Sequence, residues 1–135
     1  MALNKKINPL DFQSNIAIGI GLPFNSDVGG FKLNYVTEDQ IHDNLKNLLL
    51  TMKGERLMHP TFGSNIYNLM FEPGIEEDIQ VKALNTIQDT VSEWMNFVTI
   101  KDVKVTMNDN TLNILVSYEV KELDIAKILD LTVKV

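Results

Sequence analysis

The chain has 135 residues, 44% hydrophobic and 22% charged, enough for one packed domain and too few for two ordinary ones. Eighteen acids against twelve bases give a formal net charge of −6, which disfavours a uniformly basic nucleic-acid binder. With no cysteine, disulfides, thiolate zinc sites and cysteine nucleophiles are excluded together.

Lys5 and Lys6 are followed at once by Asn8, Pro9 and Asp11, so no secretory core develops. The longest apolar stretch, residues 16–24, contains Gly19, Gly21 and Pro23 and falls far short of the roughly 20 residues of a membrane helix. A soluble protein without an export signal is expected. Residues 1–15 are polar and aperiodic, an arm without a core of its own, and residues 16–135 are expected to form a single domain.

Ile16, Ile18, Ile20 and Leu22 place aliphatics at every second position, one face of a strand weakened by glycine. Asn25, Ser26, Asp27, Gly29 and Gly30 make a loop, after which Phe31, Leu33 and Tyr35 resume the alternation as the return of a hairpin or extended arm. Thr37 and Gln40 have capping-box spacing, and Ile41, Leu45, Leu48 and Met52 follow at helical intervals with Leu49 beside them. Ser64 reads as the N-cap of a short helix ending at Phe71. A longer helix starts near Ile75, where Glu76, Glu77 and Asp78 suit the positive end of its dipole. Its stripe is Ile79, Ala83, Leu84, Ile87, Val91 and Trp94.

The period then becomes two. Val98 and Ile100 alternate, and Val103, Val105 and Met107 alternate in the opposite phase, so a bulge near Asp102 is expected. Asn108, Asp109 and Asn110 are turn formers. Leu112, Ile114, Val116, Tyr118 and Val120 give the cleanest strand, and Leu129, Leu131, Val133 and Val135 a last one. Helices followed by a meander define the fold class as α+β: a small antiparallel sheet packed against two to three helices, preceded by an N-terminal arm or hairpin.

Chemistry is sparse. His42 and His59 are the only histidines and have none of the familiar metal-ligand spacings. No serine has a GxSxG context, and Gly29-Gly30 lacks the rest of a phosphate loop. Glu55 and Glu72 can be nominated as a glycosidase pair, although Arg56 beside Glu55 favours its ionised form and no acid-base motif surrounds either. Phe62, Tyr67, Phe71, Trp94 and Phe97 lie among aliphatics, which points to core and not to a base-stacking platform. No cofactor is expected.

Residues 51–73 are dense in constraints. Arg56 is the only arginine in the chain and lies in a connector. Its planar fork can clasp carbonyls or a carboxylate internally, or meet a partner, and the residues leave those two readings even. Gly54 and Gly63 supply turn geometry, while Pro60 and Phe62 stiffen and anchor the loop.

The run Thr51-x-Lys53-Gly54-Glu55-Arg56, then Pro60-x-Phe62-Gly63, then Leu69-x-Phe71-Glu72 resembles the signature of the phage baseplate wedge and sheath-initiator family, related to tail protein W and often labelled lysozyme-like. The resemblance covers about residues 15–120. Family members commonly carry a Glu/Asp-Pro-Arg tripeptide before the meander; here that region reads Glu93-Trp94-Met95-Asn96-Phe97.

The resemblance implies a non-enzymatic structural component of a contractile tail or related injection machine, sited in the virion baseplate after assembly from the host cytoplasm. It implies sheath protein and other baseplate wedge proteins as partners, contact with the tail tube, six copies, and no nucleic acid or membrane. Lys53, Gly54, Glu55, Arg56, Pro60, Phe62, Gly63, Phe71 and Glu72 are then clasp or partner-contact residues. Leu129, Leu131, Val133 and Val135 are either an ordinary edge strand or one shared with sheath. A peptidoglycan-cleaving tail enzyme and an adaptor on the same fold are the alternatives.

Overall fold

The computed structural model describes residues 9–22, 31–121 and 125–134. It divides into two compact units, Met1–Leu45 and Lys46–Val135, with the boundary inside the first long helix.

In the first unit, a single 3-10 turn, Pro9–Phe12, delivers Asp11 to the start of α1 (Thr37–Leu50). One Asp11 oxygen accepts the Thr37 amide at 3.0 Å and the Thr37 hydroxyl at 2.7 Å. A buried carboxylate, joined by Glu38 and Asp39 in the first turn, thus lies at the positive end of the helix. The capping box is corrected accordingly. Thr37 is already helical and donates its hydroxyl outward, and Gln40 bonds Asn34 and Asn44.

Two-residue strands β1 (Gly19–Ile20) and β2 (Leu33–Asn34) pair antiparallel, Gly19 with Asn34 and Ile20 with Leu33. Their facing is inverted relative to ordinary strands. Ile20 and Leu33 are 46% and 43% exposed, whereas Asn34 is buried. The Asn34 amide donates to Asp43 at 2.6 Å and to Gln40 at 3.1 Å. A Cβ at Gly19 would approach the Gln40 oxygen to 2.1 Å, so a larger residue there would require the Gln40 side chain to move out of that polar cluster. The loop expected over Asn25 to Gly30 lies outside the described residues.

In the second unit, Leu48 and Leu49 of the α1 end are buried. Helix α2 (Glu76–Trp94) packs along β3; of the expected stripe Ile79, Ala83, Ile87 and Val91 are buried, Leu84 is half-buried and Trp94 is exposed. Strands β3 (Val98–Asn108), β4 (Thr111–Val120) and β5 (Ile125–Lys134) form an antiparallel meander in the order β3-β4-β5. The α+β architecture read from the sequence is therefore present.

The bulge falls at Lys101, between the pairs Ile100–Tyr118 and Asp102–Ser117. The Asp102 carboxylate accepts the Val103 amide at 2.9 Å, and Lys101 meets Glu119 at 2.7 Å. Asn108 pairs with Thr111 across a tight turn in which Asp109 takes φ 44°, a conformation that a short polar side chain tolerates. One sheet face is core: Val103 and Val105 of β3, Leu112 to Val120 in alternation on β4, and Leu129, Leu131 and Val133 on β5. The opposite face carries Leu115 and Ile128, 41% and 66% exposed.

Candidate functional site: a clamped loop and a sheet margin

Residues 51–64 leave α1 and return to its end. At the neck, Thr51 is held by its hydroxyl on the Asn47 carbonyl at 2.6 Å, and the Ser64 amide donates to the Thr51 carbonyl at 2.8 Å. The Ser64 hydroxyl donates to the Leu49 carbonyl at 2.6 Å in a buried setting. Ser64 is therefore not the expected N-cap; Asn65 precedes the 3-10 helix Ile66–Phe71 and makes no side-chain cap bond. The carbonyl of Leu49, left open where α1 ends, won the hydroxyl instead.

Further out, the Gly54 amide donates to the Pro60 carbonyl at 2.7 Å and encloses residues 55–59 as a tip. The Glu55 amide donates to the Met52 carbonyl at 3.1 Å, while the Glu55 carboxylate accepts the Met52 amide at 3.0 Å. Gly63, at φ 119°, has no room for a side chain: a Cβ there would lie 2.4 Å from the Thr51 carbonyl oxygen. The neck therefore requires glycine for both dihedral and space.

Arg56 and Phe62 are stacked. The guanidinium carbon lies 4.3 Å from the Phe62 ring centre, and Phe62 in turn meets Trp94 edge-on, with ring centres 5.1 Å apart at 74°. The loop is thus braced on the last residue of α2 by an Arg–Phe–Trp stack. At the tip, Leu57 is 96% exposed and Met58 is 87% exposed.

The remaining motif residues stand apart from this stack. Lys53 is exposed on the loop. Phe71 ends the 3-10 helix 72% exposed, and Glu72 pairs with Lys82 of α2. The expectation that the aromatics are core is corrected: Trp94, Phe97 and Phe71 are exposed, and Phe62 and Tyr67 are half-buried. Aromatic residues among aliphatics looked like core because local sequence carries no record of which helix end they reach. Leu57 and Met58 were missed for the same reason, although an apolar pair inside a polar turn was a visible anomaly.

Of the residues nominated on the last strand, Leu129, Leu131 and Val133 point into the core, and Val135 lies outside the described residues. What β5 leaves open is its backbone. It pairs with β4 along its whole length, from Ile125–Val120 to Lys134–Thr111, and no described strand lies on its other side. Asp130 and Lys134 are exposed along it. Among the described residues no group of His, Asp or Glu is arranged to hold a metal ion, and no helix is long and apolar enough to cross a membrane.

The site thus comprises a sheet margin with no described strand beside it and a braced loop with an apolar tip. The chain belongs to the family of baseplate wedge protein gp25, which matches residues 36–124. It is a structural component of a baseplate and works among other baseplate proteins. Its fold is similar to a protein of Geobacter sulfurreducens provisionally described as a tail lysozyme (TM-score 0.64, 20% identity, 73% of this chain and 91% of that one). It is also similar to a chain of the anti-feeding prophage baseplate (TM-score 0.58, 20% identity, 73% of this chain and 79% of that one). No curated protein sequence matches significantly.

Proposed function

We propose that this baseplate protein starts sheath assembly at the tube end of a contractile tail or related injection machine, without catalysing a reaction. The observation that carries the reading is the outer margin of β5, a strand of 10 residues paired on one side only among the described strands. Such a margin presents amides and carbonyls that template an incoming strand, here one from a sheath subunit. Asp130 and Lys134 along it oppose premature edge-to-edge pairing before assembly in the host cytoplasm. Sheath protein, neighbouring wedge proteins and the tail tube are the proposed partners, with six copies around the tube.

The two carboxylates that a hydrolase would need have structural duties, Glu55 on the Met52 amide and Glu72 on Lys82. That supports a role without turnover. The test is to purify tails lacking the protein and ask whether tubes acquire sheath. Bare tubes that regain sheath on adding the protein back are expected; normal sheath on tails without it would overturn the reading.

A further inference from the structure

The clamped loop offers a second surface, distinct from the strand margin and independent of it. Leu57 and Met58 are 96% and 87% exposed, and they sit on a scaffold fixed by the Gly54–Pro60 and Thr51–Ser64 backbone bonds and by the stack on Trp94. Their exposure is therefore imposed by the loop, since each rung that orders it holds them away from the chain's own core. A rigid apolar tip loses little freedom on docking, which is how preorganised anchors gain affinity. The surrounding charge specifies the receiver. The chain as a whole carries −6, yet Lys53 and Arg56 precede the tip, and the acid between them in sequence, Glu55, accepts the Met52 amide. With the Glu55 carboxylate counted, residues 53–58 hold two bases against one acid on an otherwise acidic protein.

We propose that Leu57 and Met58 insert as a pair into an apolar pocket rimmed by Asp or Glu side chains on another baseplate protein. Arg56 and Phe62 form the support of this anchor, and Lys53 supplies the charge that orients it.

The test uses whole baseplates assembled with the full-length protein. A photo-crosslinking amino acid at position 57 or 58 is expected to label a different baseplate protein, at a peptide with apolar residues flanked by carboxylates. Separately, the double substitution Leu57→Ser, Met58→Ser should cut incorporation into baseplates at least about tenfold. The thermal midpoint of the free protein should stay unchanged. Lys53→Glu should lower incorporation further as salt is reduced, since repulsion then acts unscreened. Labelling of a second copy of this chain, labelling of an acid-poor peptide, no labelling, or normal incorporation of the double variant would each overturn the proposal. None of these results bears on sheath growth from the β5 margin, which the tail-deletion experiment reads separately.

Discussion

The Arg56 guanidinium lies 4.3 Å from the centre of the Phe62 ring, and the only arginine of the chain therefore stabilises its loop through a π face. Lysine keeps the charge and loses the planar overlap. Arg56→Lys should destabilise the protein by about 0.5–1 kcal/mol, the range for an exposed cation–π contact. At this chain length that corresponds to a fall of roughly 2–5 °C in Tm. Phe62→Leu should cost more, because it also removes the edge contact with Trp94. A double-mutant cycle of the two substitutions, read by thermal unfolding, is expected to show that their effects are not additive.

Gly63 and Gly54 differ in a way that can be measured. Both have positive φ, 119° and 89°, but a Cβ at Gly63 strikes the Thr51 carbonyl while one at Gly54 meets open space. Gly54→Ala should cost about 1–3 kcal/mol from the dihedral alone. Gly63→Ala adds a backbone clash and should be the more damaging. Urea unfolding midpoints of the two variants give the comparison.

Asp11 caps α1 from 26 positions away. Asp11→Ala removes the acceptor of the Thr37 amide and should cost about 0.5–2 kcal/mol. Faster hydrogen exchange at the first turn of α1 is expected, with exchange in β4 unchanged until global unfolding.

Two positions on β5, one on each face of the sheet, should differ sharply in their effect on stability. Leu131 is fully buried, and Leu131→Ala should lose about 2–5 kcal/mol through a core cavity. Ile128 is 66% exposed on the opposite face, so Ile128→Ser should change stability by no more than about 0.5 kcal/mol. Chemical unfolding measures both.

The sequence was legible wherever one buried face repeats with a fixed period. The change of phase between Ile100 and Val103 located the bulge within one residue of Lys101, and the stripe from Ile79 to Val91 gave the buried face of α2. It was misleading where period and burial part company. In residues 16–20 and 31–35 the sequence alternates, but Asn34, bonded to Gln40 and Asp43, turns the polar side inward. Period alone cannot say which face is covered. Ser64 failed for a related reason: its competing acceptor, the Leu49 carbonyl, lies 15 positions away. The site was half legible. The turn glycines, Pro60, Phe62 and Arg56 stood out by residue type, whereas Trp94 as the brace and Leu57 and Met58 as the protruding pair depend on how distant segments meet.

The bulge at Lys101 has a consequence for polarity. An extra residue interrupts the backbone spacing of β3, so a strand arriving on that flank finds no uninterrupted run in register. On β5 the pairing with β4 proceeds without a shift from end to end. The two flanks of one small sheet are thus unequal templates for an added strand: the β5 flank offers ten residues in unbroken register, and the β3 flank does not.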